Sequence, residues 1–366
     1  MTFEDRVQSV MEFGLPERQA RFLVTVMLHA GVCVPRQYAR FAGTAYGHTV
    51  NEFFDKIVLR GYASEWPCQH ARARLYHVHQ LRLYRAIGQP HSRFRRPVSV
   101  RQLIERLMWL DEAIDNRDLT WLATTDDKVD FFRRTLPELA LELLPHARGA
   151  RPSRTVRLFP DEIPIGVEPD CRVVFPYLVT TAFAKDPFCD FLQRHIHVLH
   201  ALPSWTVRIL APRWFASCAE LEKAARFELT VPLAPQTLID MEWYFKQRQT
   251  TLDVRARCRS DGEFWEETHR FGRPTSRRLY RRFVAEGKLV FELLASPVIR
   301  DALARGTGRI ESRVLVRSYE HLAPRVGPES RSSRVEGPDE GSTQPQPPHV
   351  VGASGALGDG RSVARV

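Results

Sequence analysis

Between His48 and Glu52 the sequence reads HTVNE, a cluster of hydrogen-bonding side chains around one valine. Asn pairs with the adenine edge and Glu accepts from the cytosine amino group. On the outer face of a helix start, His48, Thr49, Asn51 and Glu52 could therefore read bases in a DNA groove. Lys56 and Arg60 lie further along the same stretch, where a cation would meet phosphates. Arg36 and Arg40 are one helical turn apart and form a second candidate phosphate contact. Arg72 and Arg74 alternate with small residues, so on a strand both would point the same way.

Those residues need a scaffold, and the sequence predicts one. Leu15, Phe22, Leu23, Val26, Met27 and Ala30 recur at helical spacing and Gly31 ends the run. Pro35 opens a short second helix with Tyr38, Ala39 and Ala42 inward. After the turn at 43–47 a third helix carries Val50, Phe53 or Phe54, Ile57 and Val58 inward and stops at Gly61. Strand-like pieces follow at Tyr62–Trp66 and Leu75–Val78, joined by the loop PCQHARAR. Three helices and a hairpin in this order predict a winged helix-turn-helix, whose third helix enters the major groove while the wing lies on the backbone.

The rest of the chain changes character. Ser99 caps a predicted helix to about Ile114, and Thr125 another beginning at Asp126. After a 148–154 linker, Val156–Phe159 and Val173–Thr181 read as strands, Phe188–Leu202 as a helix, and Trp205–Leu210 as a strand. Phe215–Arg226 reads as a helix, Leu229–Val231 as a strand and Ala234–Cys258 as one long helix. Residues 262–320 are helix-rich, with a late strand at Arg313–Val316. The expected architecture is multi-domain α+β or α/β. It comprises a winged-helix domain at 1–97, a helical connector at 98–150, an α/β domain at 151–323 and a disordered tail at 324–366.

Composition narrows the partners. The chain has 366 residues with 53 Lys and Arg against 43 Asp and Glu, a formal net charge of +10. From Arg36 to Arg96 there are 11 basic and 3 acidic residues, whereas 101–150 reverses to 7 and 10. A basic first module suits a polyanion. Six scattered Cys without a C-x-x-C pair argue against a zinc ribbon and fit reduced thiols. No signal-like start or membrane-length apolar stretch is present, so a cytoplasmic location is expected.

The stretch from GLPERQARFLVTVMLHAG through the helix ending in L-x-x-x-G-Y, with RLYHV after it, resembles the winged-helix module of the replication-relaxation family. That family belongs to plasmids and other mobile elements. The shared pattern includes a short helix with an exposed Arg-Gln, here Arg36-Gln37. The resemblance implies duplex-DNA binding in regulation, replication or transfer of a mobile element.

FPDEIPIGVEPDCRVVFPYLVTT, followed by a helix and WTVRIL, is similar to the core of PD-(D/E)XK nuclease-like (restriction-endonuclease-like) domains. That resemblance implies a first carboxylate at Asp161 or Asp170 and, on the next strand, an acidic residue and a Lys that share Mg²⁺ chemistry. Val174–Thr181 supplies neither, so a non-catalytic relic without cofactor is expected. An active Mg²⁺-dependent endonuclease is the alternative, and a winged helix that contacts protein the second. His77-Val78-His79, with Tyr84 after it, and His195-Ile196-His197 both match the His-x-His pattern of rolling-circle nucleases and relaxases. The first pair falls on the wing strand and the second on a helical pattern, where i and i+2 diverge. The expected partner is double-stranded DNA, and a homodimer stays open.

Overall fold

The computed structural model describes residues 1–68, 73–147, 157–251, 253–272, 274–317 and 319–322. The expected 148–154 linker and 324–366 tail lie outside the described residues.

The chain begins with a helix that periodicity did not announce, α1 (Phe3–Met11). Thr2 and Asp5 cap it reciprocally, the Thr2 hydroxyl accepting from the Asp5 amide at 3.1 Å and the Asp5 carboxylate from the Thr2 amide at 2.8 Å. Then come α2 (Glu17–His29), β1 (Val32–Cys33), α3 (Pro35–Ala42) and α4 (His48–Leu59). The hairpin β2 (Ala63–Pro67) and β3 (Arg74–Val78) pairs antiparallel from Ala63↔Val78 to Pro67↔Arg74. β1 adds to the other edge of β3, giving the order β1-β3-β2. A short helix, α5 (Leu81–Ala86), follows.

Helix α6 (Val100–Asp115) starts at Ser99, whose hydroxyl accepts from the Gln102 amide. Its apolar side, Leu103, Leu107, Leu110 and Ile114, completes the core of the first 90 residues. β4 (Thr120–Leu122) and α7 (Thr125–Thr135) come next, the latter capped by Thr124 one residue before the expected position. A small ladder joins β5 (His146–Ala147) to β6 (Arg157–Leu158).

The second sheet is built from β4, β7 (Ile165–Val167), β8 (Val173–Leu178), β9 (Trp205–Pro212) and β10 (Gly308–Leu315), in the order β10-β9-β8-β7-β4. β4, β7 and β8 pair antiparallel, whereas β8, β9 and β10 run parallel. Every residue of β8 is buried, as expected for an interior strand covered on both faces. Helix α8 (Lys185–Ala201) makes the crossover from β8 to β9. The chain is therefore a mixed α+β structure.

Between β9 and β10 lie α9 (Cys218–Thr230), α10 (Pro235–Thr250), α11 (Val254–Ser260), α12 (Gly262–Phe271), α13 (Pro274–Glu286), α14 (Leu289–Leu293) and α15 (Pro297–Arg305). Two expectations fail here. Leu229–Val231 is not a strand: Leu221, Ala225 and Leu229 continue one buried helical stripe, so α9 runs on to Thr230. Nor is 234–258 one helix. The Asp253 carboxylate accepts from the amides of Arg255 and Ala256, starting α11 afresh. Met241, Tyr244, Phe245, Phe264, Phe271 and Phe283 gather these helices into a satellite core.

Four histidines are buried among the described residues: His29, His77, His195 and His197. Burial pushes His29, His77 and His195 down to about 4, from the ordinary 6.5. A histidine held neutral stabilises fully above 6.5 and loses that contribution as pH falls towards 4, by about 1.4 kcal/mol for each pH unit between those two values. The melting temperature is therefore expected to fall steeply between pH 6.5 and 4. Differential scanning calorimetry of His29→Gln should give a shallower fall, and an unchanged one would reject the assignment for that residue.

Candidate nucleic-acid interface

Helix α4 is fixed by aromatic packing on its inner side. Both Phe53 and Phe54 turn inward, where the sequence allowed one or the other. Tyr38 of α3 stacks on Phe53 with ring centroids 4.2 Å apart, and Tyr76 of β3 stacks on Phe54 at the same distance. Val50 and Ile57 complete the buried stripe. With one face held between α3 and the sheet, the opposite face is left to solvent. Thr49, Asn51 and Glu52 lie exposed at its start, as does the side chain of His48, whose ring is 3.0 Å from the Glu52 carboxylate. Tyr46, just before the helix, is also exposed.

The basic residues expected beside this face are engaged elsewhere. Lys56 donates to the Gly14 carbonyl at 2.9 Å, and Arg60 donates to the Phe13 carbonyl at 2.7 Å. Both therefore tie α4 to the α1–α2 turn. Arg74 on β3 meets Glu65 of β2 at 2.6 Å across the hairpin. Arg72 lies outside the described residues.

Arg36 and Arg40 both pair with carboxylates of α6, Arg40 with about half of its side chain still in solvent. Arg36 makes a two-pronged pair with Asp111 at 3.0 and 2.9 Å, and Arg40 pairs with Asp115. The expected exposure of Arg36-Gln37 is corrected outright for Gln37, which is fully buried. Its amide donates to the Leu107 carbonyl and to Asp111, both at 3.0 Å. The reason is α6, whose carboxylates need partners on both sides. From the second sheet, Arg208 and Arg313 each reach Glu112 at 3.2 Å, and just past β10 Arg317 reaches Asp111 at 2.9 Å.

Asp111, Glu112 and Asp115 thus join arginines from the first 40 residues to arginines of β9 and the β10 end. Burial pushes the Asp111 carboxyl up, but the Arg36 guanidinium bonded to it more than offsets this and holds it below the usual range. Glu112 goes the other way, because burial there outweighs the attraction of Arg313 and Arg208. The acidic excess at 101–150 was visible in the sequence. Its partners, some 70 to 200 positions away, were not.

The candidate nuclease carboxylates do not converge. Asp161, ahead of β7, is held two-pronged by Arg194 at 3.0 and 2.8 Å. Asp170, at the β7–β8 turn, accepts from the Arg172 amide at 3.1 Å. Since β7 and β8 run antiparallel, the two aspartates mark opposite ends of that pair. The β8 residues Val173–Leu178 bring neither carboxylate nor lysine. Among the described residues, no group of three His, Cys, Asp or Glu side chains could hold a metal ion.

Both His-x-His pairs are consumed locally. On β3 the His77 ring nitrogen meets the Phe94 carbonyl at 3.0 Å and His79 meets the Ser64 hydroxyl at 2.8 Å. Tyr84 is buried and donates to the Val78 carbonyl at 3.2 Å. On α8 His195 bonds the Phe191 carbonyl, while His197 bonds Glu286 of α13.

Among the described residues no helix is long and apolar enough to cross a membrane. Comparison of the chain with protein-family models, curated proteins and solved structures gave no match.

Proposed function

We propose that residues 1–97 form a winged-helix module that binds duplex DNA through the start of α4, and that the second sheet is a nuclease-like scaffold without catalysis. The observation that carries the reading is the open face of α4: Thr49 and Asn51 exposed on a helix whose other side is locked by Phe53 and Phe54. The order α2-β1-α3-α4-β2-β3 and the sheet order β1-β3-β2 support the module, since helix-turn-helix proteins with a wing use this sequence of elements. The pairing of β4, β7, β8 and β9, antiparallel twice and then parallel across α8, supports the scaffold. Arg194 on Asp161 supports its inertness, because a carboxylate neutralised by a guanidinium is a poor Mg²⁺ ligand. A role in regulation or replication of a mobile element rests on the replication-relaxation resemblance.

The engaged cations alter the expected electrostatics. Each phosphate contact steepens log K against log salt by about −0.9. Arg36, Arg40, Lys56 and Arg60 already have internal partners, so they are expected to add less than four full increments. The test is binding of the full chain to a labelled random duplex over a salt series, with and without Mg²⁺, read on native and denaturing gels. Asn51→Ala should shift base preference at one position by about 1–3 kcal/mol with the salt slope unchanged. Arg40→Ala should leave base preference unchanged and flatten the salt slope by less than one full increment. No binding at low salt would sink the reading and favour a protein partner. Mg²⁺-dependent cut products, lost in Asp161→Ala or Asp170→Ala, would establish the nuclease alternative.

A further inference from the structure

A cleft of about 490 Å³ opens between the segment 88–96, the start of α7 and the end of α2. Its lining includes Lys128, Arg93, Arg96, Ser92 and Thr125. Lys128 is only 1% exposed, yet among the described residues its Nζ makes no hydrogen bond or ion pair and lies 5.5 Å from the Phe159 ring. Buried ammonium groups are nearly always paired, so an unpaired one needs an explanation. Its position sharpens the point. Lys128 is the fourth residue of α7, in the first turn, where the amide ends of the helix already repel a cation. A cation that fits neither its burial nor its helix suits an anion that satisfies both.

We propose that this cleft binds a small oxyanion, a phosphate or phosphomonoester, with Lys128 at its base and Arg96, Ser92 and the first amides of α7 around it. The Arg96 side chain is exposed and, among the described residues, makes no hydrogen bond or ion pair. The Glu162 carboxylate in the lining is met by Arg93 at 2.6 Å, and Asp126 is exposed to water. Thr124 caps only the Asp127 amide, which leaves the amides of Thr125 and Asp126 to point out of the helix end, as anion sites use them. The cleft volume is that of a small-molecule pocket, and the depth of Lys128 favours a small anion over the backbone of a duplex.

Burial, with Arg93 nearby, lowers the Lys128 ammonium to about 7. Asp127 on its own helix and Asp161 before β7 pull the other way. His29 from α2 and His195 from α8 sit within range and are neutral, and Arg6 is spent on Asp127. Near pH 8 the empty cleft therefore holds a mostly neutral amine, and an entering anion draws a proton onto it.

The test is isothermal titration of the full-length protein with sulfate, inorganic phosphate and methyl phosphate at pH 8, in two buffers of different ionisation enthalpy. Sulfate does not titrate here, so its proton count belongs to the protein. Uptake of close to one proton is expected at pH 8 and little at pH 6. Lys128→Met should abolish the uptake and weaken binding by more than about 10-fold, the loss of one charge-assisted hydrogen bond. Without ligand the same variant should melt higher than the parent, whereas a purely structural lysine would make it melt lower. Arg96→Ala, on the surface, should weaken binding several-fold with an unchanged melting temperature. Absence of binding by all three anions at about 10 mM, or undiminished uptake in Lys128→Met, overturns the proposal. No DNA enters the assay, so its failure leaves the DNA reading standing.

Discussion

Asp111→Ala is expected to destabilise the protein by about 3–5 kcal/mol, because it strips a buried carboxylate from several donors at once. Arg36, Arg317, the Gln37 amide and the Tyr319 hydroxyl all converge on that side chain, the last at 2.7 Å. Removing it leaves cationic and polar groups facing one another across the α3–α6 contact. A denaturant titration monitored by circular dichroism reads the change as a lower midpoint. Asp115→Ala provides the comparison. Its nearest partner, Arg40, is about half exposed and Arg313 and Arg317 stand off at 3.7 and 3.8 Å, so the loss should stay near about 1 kcal/mol or below. Equal losses for the two variants would reject the view that Asp111 is the central acceptor. The double change Asp111→Leu with Arg36→Met should recover part of the stability, since an apolar pair avoids the desolvation cost that the ion pair carries.

This hub also explains where the sequence was readable and where it was not. Helices α2, α3, α4 and α6 each present a local stripe of apolar residues with a capping or stopping residue, and both signals act within four positions. Gly31, Gly43 and Gly61 punctuate those elements at positive φ, so their boundaries were legible. The outward face of α4 followed from the same periodicity. What periodicity cannot carry is the fate of an arginine once the chain folds back on itself. Arg36 looked like a phosphate contact because Arg40 lies one helical turn away in a basic stretch. Its partner is an aspartate 75 positions away on a helix whose own polar side gave no hint of a direction. The short strands β1, β4 and β7 were missed for a related reason: two or three residues are too few to show alternation, and each is held by its neighbours in the sheet.

Gly31→Ala should be among the most damaging small substitutions in the chain. Gly31 follows α2 at φ 69° and its carbonyl accepts from the Val78 amide at 2.8 Å, which places β3 against the helix end. An added Cβ would lie 2.2 Å from the Phe94 carbonyl oxygen and 2.7 Å from the Phe94 Cβ. The backbone must therefore move, and that carbonyl is the one His77 holds at 3.0 Å. Gly43→Ala isolates the conformational part of the cost. Gly43 has φ 64° and nothing within 4 Å of the new methyl, so about 1–2 kcal/mol is expected there. Gly31→Ala should exceed it by at least about 1 kcal/mol, the further cost of displacing packed backbone. Chemical denaturation of the two variants at a common slope gives the difference directly. Equal losses would mean that the 92–96 segment yields freely. That outcome would also weaken the oxyanion cleft, because a wall that moves to admit a methyl group cannot hold Ser92 and Arg96 in place around a ligand.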